Sequence, residues 1–176
     1  MSRYFPHTSH AEDQPLSHTI LLTHIGTRSI TTGAIIGSGV FAAQKILRSR
    51  GSVRPGPSAV PLPPSVFPTT HQFLRVAGKS TIWTLGVVSL GTVARMWGRE
   101  EIEWQDRSWR LLESKGQLET DDWTYGGMVA GLAASALLRR PVGGLAVLGA
   151  VSMGSVAGTA GYMAWRYGVN GGKFEE

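Results

Sequence analysis

The strongest constraint on this chain is where it carries no charge. Four stretches contain no Asp, Glu, Lys or Arg: Ser29 to Gln44, Ser80 to Ala94, Trp123 to Leu138 and Val142 to Trp165. The last is 24 residues long, and about 20 apolar residues in a helix cross the hydrocarbon core of a bilayer. The other three are 15 or 16 residues long and border on Lys or Arg, whose long side chains snorkel to the interface and widen the usable span. This pattern predicts an all-α integral membrane protein with four transmembrane helices in two hairpins and a short amphipathic loop helix. A soluble bundle with two buried hairpins is the alternative. The segments lack the polar face that a soluble surface helix shows.

Glycine supports the membrane reading. It accounts for 23 of 176 residues, and in a soluble helix each would cost about 1 kcal/mol relative to Ala. In lipid, small residues let helix backbones approach closely where no hydrophobic drive brings them together. They recur here at a spacing of four: Gly33 and Gly37; Gly127, Gly131 and Ser135; Ala146, Ala150, Gly154 and Gly158. These stripes are the expected helix-packing faces.

The expected organisation is a polar tail over 1–18, a four-helix membrane domain over 19–168 and a polar tail over 169–176. The spans fall at about 25–47, 75–97, 123–139 and 142–165, with helix 1 starting near Ser17 and helix 2 near Phe73. A proline-rich loop over 50–70 holds six of the nine prolines, so it reads as an extended connector or surface strap. Trp83 and Trp97 are the expected interface anchors. In the loop over 99–122, Trp104, Ser108, Leu111 and Leu112 follow helical spacing, which predicts an amphipathic helix ending near Gly116. Its Arg107, Trp109 and Arg110 are the expected contacts to a partner or to lipid headgroups. Asp121 and Asp122 are read as favourable charges at the start of helix 3. Pro141 suits the first turn of helix 4.

Four spans sort the charges. Lys45, Arg48, Arg50, Arg54, Arg75, Lys79, Arg139 and Arg140 fall on one side with no acid, whereas all 12 Asp and Glu fall on the other with the termini. The positive-inside rule, which acts best on short loops, places the acid-free side in the matrix or cytoplasm and both termini opposite. The acid-free connector suits anionic lipid. Met1 to His18 matches neither a secretory signal nor a mitochondrial presequence, so targeting is expected to be internal.

No catalytic constellation emerges. Gly37 to Ala42 matches a dinucleotide fingerprint in letters but lies within an apolar helix without the required preceding strand. Gly78-Lys79-Ser80 ends like a phosphate-binding loop, yet Phe73 stands where Gly is needed. His7, His10, His18, His24 and His71 lack metal-ligand spacing. His24 and Arg28 lie one turn apart on one helix face, and Arg28 is expected to snorkel. With no Cys, thiolate metal sites and disulfides are excluded. No carboxylate falls inside a span, so a carboxylate proton relay has no residues to use. No cofactor, metal or nucleic acid is expected.

The segment Asp106 to Gly126, with an Arg-x-x-Arg-Leu helix, a Gly116-Gln117 step and Asp121 before a glycine-rich helix, carries a family resemblance. Together with His24, Arg28 and Thr32-Gly33-Ala34, it resembles the NUXM-type accessory membrane subunits of fungal mitochondrial complex I, over about Ser17 to Gly168. That resemblance implies a non-catalytic subunit of the membrane arm of NADH:ubiquinone oxidoreductase that supports assembly and stability. Its implied partners are membrane-arm subunits and phospholipid, cardiolipin included. It places the protein in the inner mitochondrial membrane, with termini in the intermembrane space. The composition is also similar to four-helix proteins related to the inner-membrane translocase subunits. A small-molecule carrier is a third reading, disfavoured because the spans offer no paired charges.

Overall fold

A computed structural model of the chain describes residues 4–51, 66–137 and 143–174. It is all-α, with no strand among the described residues. Five helices follow in order: α1 (Ser17–Gly51), α2 (Val66–Met96), α3 (Glu101–Glu113), α4 (Lys115–Ala136) and α5 (Gly144–Met163). The last runs on into a π-helical turn, Ala164–Val169.

The four long helices form two antiparallel pairs. α1 lies against α2 and α4 against α5, and α5 occupies the centre, packing on α4, α2 and α1. α3 closes one end by packing on α1 and on the short 3-10 turn Ala11–Asp13. Gly98, at φ +68°, ends α2 in the left-handed conformation that a glycine adopts without a Cβ penalty, turning the chain toward α3.

The distribution of side chains is inverted relative to a soluble core. The bundle buries small and hydroxylic residues, among them Ala34, Ala77, Thr81, Thr124, Ala146, Ala150, Ser152 and Ser155. Large apolar residues point outward, including Ile35, Trp83, Val87, Leu90, Val129 and Leu132. The buried hydroxyls do not go unsatisfied. Thr81 donates to the Ala77 carbonyl at 3.0 Å, Thr124 to Thr120 at 2.6 Å and Ser155 to Ser152 at 2.7 Å, so each is bonded within its own helix. By length and composition two helices are apolar enough to cross a membrane, Ser17–Arg48 and Gly144–Val169. In their most apolar windows only 22% and 28% of residues are buried.

Several boundaries depart from the sequence expectation. α1 continues past Leu47 to Gly51, and α2 begins at Val66, inside the segment assigned to the proline-rich loop. Pro68 falls in the first turn of α2, where its missing N–H has no helical acceptor to lose. The strap between these helices, and the Arg139-Arg140-Pro141 turn, lie outside the described residues. The loop over 99–122 contains a helix break at Ser114, after which α4 runs through Gly116, Asp121 and Asp122. That break lets Leu112 from α3 and Leu118 from α4 close on the same buried Ile20 of α1.

Candidate functional site: glycine crossings and a buried ion cluster

The expected packing residues meet one another. On α4, a Cβ at Gly127 would strike the Gly154 carbonyl oxygen and approach the Gly158 nitrogen to 2.9 Å. One at Gly131 would strike the Ala150 carbonyl, and one at Gly158 the Trp123 carbonyl. Trp123, Gly127 and Gly131 thus descend α4 as Gly158, Gly154 and Ala150 climb α5. Ala146 is buried on the same helix. The α1–α2 contact is built the same way, with Gly33 set against the Thr81 Cα and Gly37 against the Ala77 Cα, where an added Cβ would come to 2.5 and 2.7 Å.

A third crossing, between α2 and α5, was not anticipated. A Cβ at Gly78 would meet the Leu145 carbonyl, and one at Gly149 the Leu74 carbonyl. Gly78 belongs to the failed phosphate-loop motif, and its role here is steric. Neither glycine has a small partner four residues away on its own face, so the spacing rule had no purchase on them. Two hydroxyl pairs bridge helices beside the crossings: Thr31 with Ser155 at 3.1 Å and Thr124 with Thr159 at 2.9 Å.

Charge is also buried, at the end where α1, α3 and α4 begin and α5 finishes. Asp121 is 1% exposed, with Arg28 Nη2 at 2.7 Å from one oxygen and His24 Nδ1 at 3.2 Å from the other. Arg28 also reaches the Gln117 side-chain oxygen at 3.4 Å, and Thr27 pairs with the Tyr125 hydroxyl at 3.1 Å. The expectation that Arg28 snorkels outward and that Asp121 opens a helix is therefore corrected. Asp121 is the seventh residue of α4, and both groups turn inward because a buried carboxylate needs an opposite charge more than a helix dipole. The one-turn spacing of His24 and Arg28 directs both at this acid.

A second latch joins α5 to α4. Arg166, 2% exposed, binds Glu119 at 3.2 Å, and the Phe174 ring covers its guanidinium at 3.5 Å from the centroid. Its Nη2 is buried without a hydrogen-bond partner, and the ring face offsets part of that cost. Residues 169–174 of the polar tail accordingly fold back through Gly171 and Gly172 (φ +58° and +80°) onto the bundle.

The three amphipathic-helix residues make contacts within the chain. Trp109 donates its indole N–H to the Thr8 carbonyl at 2.9 Å and stacks on His7, so it holds the amino-terminal segment rather than facing out. Arg110 pairs with Asp106 at 3.0 Å and Arg107 with Glu103 at 3.8 Å, each within α3. Among the described residues no group of three or more His, Asp or Glu is placed to hold a metal ion. No family model, no characterised protein and no solved structure matches this chain.

Proposed function

We propose that this chain is an integral membrane protein of four spanning helices that works as a non-catalytic packing subunit, and specifically as an accessory subunit of the membrane arm of mitochondrial complex I. The observation that carries the membrane reading is the inverted bundle, with glycine, alanine and hydroxyls inside and Ile, Val, Leu and Trp outside. Such an exterior is costly in water and neutral against acyl chains. The assignment to complex I is supported by the resemblance over Asp106 to Gly126 and around His24 and Arg28. In this reading α2 and α4 span together with α1 and α5, and the ion-cluster end lies in the intermembrane space. Membrane-arm helices and phospholipid, cardiolipin included, cover the apolar exterior.

The test is a native gel of gently solubilised mitochondrial membranes probed for this chain, with a separate sample of the same membranes washed in alkaline carbonate. Retention in the washed membranes and co-migration with NADH dehydrogenase activity is the expected result. Migration with the protein-import machinery would move the protein to the translocase-related class, and release by carbonate would overturn the membrane reading.

A further inference from the structure

The end of the bundle opposite the ion cluster holds positive charge with no acid to balance it. There α1 and α2 lie in register, Phe41 meeting Phe73 edge to face at 5.2 Å between ring centroids. Around this pair the helices enclose a cleft of about 340 Å³ lined by Lys45 and Arg48 of α1 and Arg75 and Lys79 of α2, with Gln44 and Gln72 among them. The Lys45 ammonium sits 5.6 Å from the Phe41 ring centroid. No acidic residue occurs between Gln14 and Arg99. Among the described residues every ion pair lies toward the other end of the bundle.

Four cations that share a cleft repel one another, and the repulsion grows as the surroundings become less polar. The length of α2 makes those surroundings apolar. Its charge-free run, Ser80 to Ala94, covers 15 residues, about 22 Å of helix, against roughly 30 Å of hydrocarbon. Lys79 therefore stands at the hydrocarbon edge, where an unanswered charge is disfavoured. Toward the bilayer centre its stripe continues one turn on to Ile82 and Trp83, both exposed. A phosphate would meet guanidinium, ammonium and amide donors in the cleft, and a chain attached to that phosphate would run along an apolar helix face.

We infer that the cleft formed by Lys45, Arg48, Arg75 and Lys79 is a binding site for an anionic phospholipid, its phosphate in the cleft and an acyl chain over Ile82 and Trp83. Arg supplies paired donors that match phosphate geometry, and each cation near an anionic headgroup adds attraction that salt weakens. The inference rests on the membrane reading above and extends it by naming the lipid class and its seat.

The test uses the full chain in phosphatidylcholine bilayers and follows tryptophan quenching by brominated lipid. Brominated phosphatidylglycerol is expected to quench at a mole fraction about tenfold lower than brominated phosphatidylcholine. In the quadruple variant Lys45→Gln, Arg48→Gln, Arg75→Gln, Lys79→Gln that preference is expected to vanish. In Trp83→Phe the preferentially quenched component is expected to disappear, since Trp83 is the tryptophan beside the cleft. The cleft cations are exposed, so folding is expected to survive, checked by helical circular dichroism. Equal quenching by both lipids in the wild type overturns the site while leaving the membrane reading intact. Loss of the preference in inorganic phosphate, but not in chloride of equal ionic strength, overturns the lipid in favour of a free phosphate site. No quenching by either brominated lipid overturns the membrane reading and the site with it.

Discussion

A methyl group added at Gly127 would collide with the carbonyl of Gly154, whereas at the adjacent Gly126 it would meet nothing within 4 Å. This pair makes the residue-scale argument testable. Gly127→Leu forces α4 from α5 and is expected to destabilise the protein by about 3 kcal/mol, at the upper end for overpacking. Gly126→Leu, facing outward, is expected to be neutral or slightly stabilising, since it replaces a poor helix former. Thermal unfolding of both variants in the same detergent checks the contrast, and equal midpoints would remove the crossing from the argument. The ion cluster allows a second comparison. Asp121→Asn leaves Arg28 without its counter-charge and is expected to cost about 2 kcal/mol, less than a fully buried pair because Arg28 is 31% exposed. Arg28→Gln combined with Asp121→Asn is expected to cost about 1 kcal/mol less than the two single losses summed. Strict additivity in that cycle would show that the two side chains do not interact.

Among the elements, α3 gains contacts that its spacing did not indicate. Its spacing correctly indicates an amphipathic helix, yet the apolar edge is spent within the molecule: Leu112 on Ile20 of α1 and Trp109 on the amino-terminal segment. Trp109→Ala removes a hydrogen bond and a ring contact, and is expected to raise amide exchange in residues 5–13 by about tenfold. Exchange in α4 and α5 should stay unchanged. Protection of residues 5–13 at the wild-type level would mean that other contacts hold the segment. The break between α3 and α4 was legible in retrospect. Ser114 and Gln117 have the spacing of a capping box, but Ser114 makes no side-chain cap bond and Gln117 accepts from Arg28 instead. The letters marked the helix start, and tertiary contacts redirected the side chain that would have advertised it.

At the scale of the whole molecule the question is what surrounds the exterior. Val87 is 63% exposed on α2, near the middle of its charge-free run. In water Val87→Asp would be an ordinary surface change, within about 0.5 kcal/mol. At the middle of a bilayer it costs roughly 3 kcal/mol. The expected outcome is a sharp fall in membrane-integrated protein when the variant is expressed beside wild type, measured after carbonate extraction. Integration of the variant at the wild-type level would show that position 87 does not face the middle of a bilayer, and release of both proteins by carbonate would favour a soluble or peripheral chain.

The sequence alone was sufficient for the helical class, the number of long helices, the small-residue stripes and the sorting of charge between two ends. Each depends on local periodicity or on which residue types are absent, and neither requires knowing which helices touch. The tertiary structure decided the partners. It set α5 at the centre, crossed Gly78 with Gly149, turned Arg28 inward to Asp121, and brought Lys45 and Arg48 beside Arg75 and Lys79. Those choices depend on how far two backbones can approach and on where a charge finds its opposite across tens of residues. Spacing along one helix carries no information about either.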